Sequence, residues 1–196
     1  MKRNYHSNLA FLDLLFNTLL CFVALFAVAL LIVKPHEDEN KVDIEAEFMI
    51  VANWPGEIND DIDLYVEDPF GNVVFFRNQE AGLMHLDRDD VGSSGDSIRT
   101  DTGVVYYGLN REAITIRGTV PGEYVVNIHA YSKREAVPVP VFVTVEKISP
   151  FSAVFAETII LESGGEEKTA CRFTLDSNGD VVSTNFLPKF FTQTGW

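Results

Sequence analysis

The chain has 196 residues, a formal net charge of −14 and 46% hydrophobic residues. So large an excess of acid excludes ordinary nucleic-acid binding, which needs a basic face to displace counterions. Setting aside an apolar N-terminal run, the remainder has the length of one ordinary domain and can bury its own core.

Lys2 and Arg3 open the chain with no acid among residues 1–8. Residues 9–33 follow as an almost unbroken apolar run, LAFLDLLFNTLLCFVALFAVALLIV, long enough to span a bilayer as one helix. Ala27-Val28-Ala29 would suit a signal-peptidase site, but the run is longer than the 7–15 residues of a signal core and continues past that point. A retained anchor and a cleaved leader are both open, and retention is the expectation. The Lys/Arg bias puts the N-terminus in the cytoplasm: residues 34–47 carry Lys34 and Lys41 against six carboxylates.

Asp13 is the one charge in this run. A carboxylate at mid-membrane costs roughly 2.5–3.5 kcal/mol on the insertion scale, and less near an end. A lipid anchor could carry Leu there, so Asp13 is a candidate functional residue. At 100° per residue, Ala10, Asp13, Asn17, Cys21, Ala24 and Val28 fall in one arc of about 80°. Small and polar residues on one arc suit helix–helix packing. Asn17 lies one turn from Asp13, within reach of its carboxyl; Thr18 points elsewhere, to its own backbone or a neighbour. Homodimer packing around a tolerated acid is the plainer alternative.

Pro35 ends the helix, residues 34–41 form a charged linker, and from residue 42 to 196 the pattern turns to period two. Strands are expected at 42–48, 61–66, 73–76, 104–107, 112–117, 123–131, 139–147, 154–162, 168–175 and 180–183. Residues 77–103 read as a long loop. Pro121-Gly122, Gly164-Gly165 and Asn178-Gly179 mark turns. Many short strands with no helical period predict a mainly β domain, an antiparallel β-sandwich of immunoglobulin-like or jelly-roll-like kind.

Within it, Asp60, Asp61 and Asp63 at one strand start face an Asp-rich loop with Asp87, Asp89 and Asp90. Hard oxygen donors so grouped could hold calcium, with Asp61, Asp63, Asp87, Asp89 and Asp90 as ligands. Solvated turn carboxylates are the commoner outcome, and the spacing is not that of an EF-hand. His6, His36, His85 and His129 lack metal-ligand spacing, and no G-x-S-x-G or phosphate loop occurs. Ser93-Ser94 reads as a flexible link, Cys171 as a buried residue or an intermolecular partner, and Trp54 and Tyr106-Tyr107 as sugar-binding or core aromatics. No catalytic constellation emerges, so an enzyme is not expected.

The segment F-L-D-L-L-F-N-T-L-L, behind a short basic start, resembles the B subunits of proton-driven motors: MotB of the flagellar stator, ExbD and TolR. The resemblance covers about residues 1–35. It implies a single-pass inner-membrane protein with a periplasmic C-terminal domain. Two copies would sit within five multi-span A-type subunits (MotA, ExbB or TolQ-like). Asp13 would carry the translocated proton, with Asn17 and Thr18 as neighbours. Residues 44–186 resemble a different family, secreted β-sandwich domains of largely unassigned role that occur near von Willebrand factor A modules. The matching pieces are D-I-D-L-Y-V-E-D-P-F-G-N-V-V-F-F, L-D-R-D-D and P-G-E-Y-V-V-N-I-H-A-Y. No OmpA-like peptidoglycan-binding segment is present, so the envelope partner of this domain is left open.

Overall fold

The computed structural model describes residues 9–32, 46–92 and 97–192. The chain divides into two units, Met1–Asp43 and Ile44–Trp196. The first contains α1 (Leu9–Ile32), 24 residues without Gly or Pro and therefore without an internal break. At 1.5 Å per residue it is about 36 Å long, more than a hydrocarbon core of about 30 Å. Its apolar side chains from Leu9 to Ala29, Phe22 among them, are exposed. It is long and apolar enough to cross a membrane.

The second unit is mainly β. One sheet runs β11 (Ser152–Leu161), β10 (Val139–Lys147), β1 (Phe48–Trp54), β8 (Asn110–Ile116), β5 (Met84–Arg88) and β4 (Glu80–Ala81). The other runs β13 (Val181–Asn185), β12 (Glu167–Leu175), β9 (Gly122–Ser132), β2 (Asp61–Glu67) and β3 (Val73–Val74). A separate hairpin joins β6 (Ser97–Thr100) to β7 (Gly103–Tyr106). Neighbouring strands are antiparallel throughout. This is the two-sheet sandwich that the alternating pattern predicts.

The inward positions come from every second residue, as the pleat requires. Ile62, Leu64 and Val66 of β2 meet Val126, Ile128 and Ala130 of β9 within the same core as Phe48, Ile50, Ile114 and Val143. Cys171 is buried there, and burial pushes its thiol up to about 12, so it is a packed apolar residue rather than a nucleophile. A second, smaller cluster lies outside the first: Tyr65, Val73, Phe75, Val125 and Phe191. The C-terminal segment closes it, because the Glu167 carboxylate accepts the N–H groups of Phe191 (2.8 Å) and Thr192 (3.0 Å).

Two expectations need correction. The strand expected at 42–48 runs instead from Phe48 to Trp54, and residues 42–45 lie outside those described. β1 is buried on both faces, so its run FMIVANW lacks the alternation that would have marked it. Residues 77–103 are not one loop: β4, β5 and β6 lie inside them. Short or fully exposed strands bury no regular face and leave no period.

Candidate functional site

In α1, the Asn17 Nδ2 donates to Asp13 Oδ1 at 3.3 Å, one turn apart. Thr18 Oγ1 donates to the Leu14 carbonyl at 2.7 Å, so its hydroxyl serves its own helix and not Asp13. Asp13, Asn17 and Cys21 are all exposed on this unit.

The acidic residues of the sandwich separate into two sets. Asp60 is fully buried, with Lys133 Nζ at 2.6 Å and the N–H groups of Arg134 and Glu135 at 2.7 and 3.0 Å. Burial opposes its charge, but the Lys133 ammonium and these two amides outweigh that and hold the carboxyl below its ordinary range. Asp90, also buried, accepts from Arg88 (2.9 Å) and from the N–H groups of Arg111 (3.1 Å) and Gly92 (3.1 Å). Both acids are structural clamps: Asp60 fixes the loop after β9, Asp90 the loop after β5.

The second set lacks such donors. Asp63 sits opposite His129 in the β2–β9 ladder, with Nδ1 3.5 Å from Oδ2. Burial raises its pKa despite that partner. Asp61 is pushed up to about 6, first by burial and then by the charge of Asp63; Arg134 opposes the rise, and Asp89 and Asp90 add to it. Glu112 on β8 shares the inward register of Ile114 and Ile116 and is 1% exposed. β3 pairs with Val66 and Glu67 of β2, leaving the earlier part of that edge uncovered. Glu112 Oε2 takes up the Leu64 N–H there, at 2.6 Å. Its Oε1 is sealed from solvent, and no N–H or hydroxyl donor reaches it. Asp89 lies beside it, carboxyl to carboxyl. Burial, then Asp63, then Asp89 push Glu112 well above the ordinary carboxylate range.

Of the five calcium ligands expected from sequence, Asp61, Asp63 and Asp89 share one electrostatic neighbourhood. Asp90 adjoins it with its oxygens already engaged. Asp87 turns away to His85 and Arg117, each at 3.2 Å. Among the described residues, no three His, Cys, Asp or Glu side chains converge at ligand geometry as they stand. Glu112 was missed from sequence, although its signal was there: a carboxylate in phase with Ile114 and Ile116.

The other candidates resolve simply. Trp54 is buried and donates Nε1–H to the Asp60 carbonyl at 3.1 Å, so it offers no face to a sugar. His6, His36 and Ser93-Ser94 lie outside the described residues, and the side chain of Tyr106 is not described. An open pocket does lie on the outer face of the β2–β9 sheet, lined by Tyr65, Phe75, Phe76, Arg77, His129 and Tyr131. Phe75 stacks on Tyr65 with centroids 5.0 Å apart, and Arg77 lies 5.1 Å over Phe76.

No known family matches the chain, and no curated protein matches it. A solved structure of a protein of unknown function, SAV2460, is similar at a TM-score of 0.49 and 15% identity, covering 76% of this chain and 94% of that one.

Proposed function

We propose that this chain is the B-type subunit of an ion-driven membrane motor, with Asp13 carrying a proton across the bilayer interior. One observation carries the reading: a break-free helix of membrane-spanning length holds a single charged side chain, and the Asn17 amide a turn away bonds it. An intramembrane carboxylate faces protein or water and marks an ion path more often than it decorates an anchor. It can be neutral against protein and ionised against water. Each charge crossing the potential releases about 2.3 kcal/mol per 100 mV, enough for repeated conformational work.

In this reading the chain is single-pass, with its N-terminus cytoplasmic and the β unit periplasmic. It works as a dimer within about five multi-span A-type subunits, and the β unit dimerises or grips an envelope partner. Asp13→Asn tests it, in the chain co-expressed with a multi-span protein encoded beside it and reconstituted in vesicles. The expected outcome is an intact complex with proton uptake lost. Absence of such a partner, or flux unchanged by the substitution, overturns the motor.

A second reading, a signal-anchored binding module for glycan or protein, is favoured by the open aromatic pocket. It expects Asp13→Leu to be silent.

A further inference from the structure

We propose that the open pocket on the outer face of the β2–β9 sheet binds one ring-sized group bearing a carboxylate, with the ring against Phe76 and Tyr131 and the carboxylate on Arg77. The inference rests on the pocket of the second reading and gives it a ligand; it holds whether or not Asp13 moves a proton. Two segments build the pocket over the sheet. Phe75, Phe76 and Arg77, which follow β3, line one part, and Thr192 of the C-terminal segment lines another; Tyr65 of β2 and His129 and Tyr131 of β9 come from the sheet itself.

The rings are set against one another. Phe75 stacks on Tyr65 at 5.0 Å, Phe76 meets Phe75 edge-on at 5.5 Å, and Tyr131 meets Phe76 at 5.2 Å and 62°. Glu167 pins the other side through the N–H groups of Phe191 and Thr192 (2.8 and 3.0 Å) and the Thr192 hydroxyl (2.7 Å). Tyr65 and Phe75 are buried in the outer cluster, but Phe76 is only half-buried and Tyr131 is 48% exposed, so aromatic surface is left uncovered here. The cavity measures about 170 Å³. Sites for drug-sized ligands run to roughly 300–1,000 Å³, so this one has room for a single ring.

Charge selects what the ring carries. Arg77 is the one Lys or Arg among the lining residues, and its guanidinium lies over Phe76. Its field reaches Asp63 and Tyr65, but among the described residues it forms no ion pair, although the chain as a whole carries a net charge of −14. The acids nearby are engaged elsewhere. Asp63 is buried and faces His129 at 3.5 Å, Glu67 pairs with Lys189, and both oxygens of Glu167 accept from Asn127, Phe191 and Thr192. A guanidinium presents its donors as a planar fork that fits a carboxylate in bidentate fashion. A cationic ligand would be repelled by it, and a phosphate would call for a second cation that the lining does not offer. One arginine over an aromatic wall suits one negative charge.

The test uses the full chain in detergent, with empty micelles as the blank. It is titrated calorimetrically with sodium glucuronate and sodium benzoate, and with their neutral counterparts glucuronamide and benzamide. At least one of the acids is expected to bind, at one site per chain and at least tenfold more tightly than its amide. Binding of glucuronate assigns the ring to a sugar acid of a glycan; binding of benzoate assigns it to an aromatic acid. Arg77→Gln removes the preference for the acid, and Tyr131→Ala weakens the acid at least fivefold; both side chains are exposed, so neither change threatens the fold. Arg99→Gln, at an exposed residue of β6, changes nothing. No binding of either acid, an amide bound as tightly as its acid, or a preference that survives Arg77→Gln overturns the site. Asp13→Leu tests the anchor and these titrations test the pocket, so the second reading can outlive a failure here.

Discussion

Asp60 and Asp90 are buried as deeply as Asp61 and Glu112, at the same end of the same sandwich, yet the two pairs live under opposite conditions. The first pair is surrounded by donors: an ammonium, a guanidinium and four backbone N–H groups converge on two carboxyls. The second pair faces other acids, and Glu112 meets the Asp89 carboxyl where a donor would otherwise stand. Burial exacts the same desolvation cost from all four. What differs is what meets it: the chain's own donors in one case, a proton in the other. Acids held ionised and acids pushed toward the neutral form are thus told apart by their donors rather than by their depth.

The contrast is broken most severely at Asp60. Asp60→Ala strands the Lys133 ammonium, itself nearly buried at 7% exposure, and leaves the Arg134 and Glu135 amides unpaired. A loss of about 3–5 kcal/mol is expected, the usual cost of deleting one partner of a buried pair. Denaturant unfolding measures it. A loss below about 1 kcal/mol would mean that water reaches Lys133 and that the clamp is not closed.

At Glu112 the expected sign is reversed. Glu112→Gln keeps an acceptor for the Leu64 N–H and replaces a carboxyl that must take up a proton to face Asp89 with an amide that donates without one. The variant is expected to be more stable than the parent by about 1–2 kcal/mol, the scale of a hydrogen bond to a charged group. Melting curves of the two proteins at pH 7 read the difference. A variant less stable than the parent would place Glu112 among the structural acids.

This division was only partly legible in the sequence. The sandwich was, because Val139–Lys147 and its fellows alternate so regularly that strand bounds follow from the side chains alone. The Asp13–Asn17 pair was legible too, since helical spacing is local. The acid cluster was legible as a suspicion of Asp61, Asp63 and Asp89. What could not be read was which acids are already satisfied. Lys133 is 73 residues from Asp60, and Arg111 is 21 from Asp90; nothing local announces either partnership. Glu112 is 48 residues from the Leu64 amide it accepts, and a strand reading of 112–117 assigned it to a face without asking what lay opposite. β5, which carries the chain to Asp89, was lost for the same reason: it exists by pairing with β8, not by a pattern of its own.

The smallest effect belongs to a donor-fed acid near the surface. Glu166 accepts N–H groups from Glu162 and Ser163 and pairs with Lys168 at 2.9 Å. Partial burial raises its pKa, but the Lys168 ammonium and the two amides lower it further, leaving a net depression. A carboxyl whose folded pKa lies below its unfolded one binds fewer protons when folded, so its contribution is present above about pH 4.5 and is lost as pH falls through the folded value. Partly exposed and screened, it is worth less than about 1 kcal/mol. Glu166→Gln should therefore cost a fraction of a kcal/mol at pH 7, and the difference from the parent should shrink as pH falls below about 4.5. Asp13 is untouched by this substitution, so proton flux serves as its internal control. A cost that persists unchanged at low pH would mean that the Glu166 turn is held by shape and the amides alone, with the carboxylate charge contributing nothing.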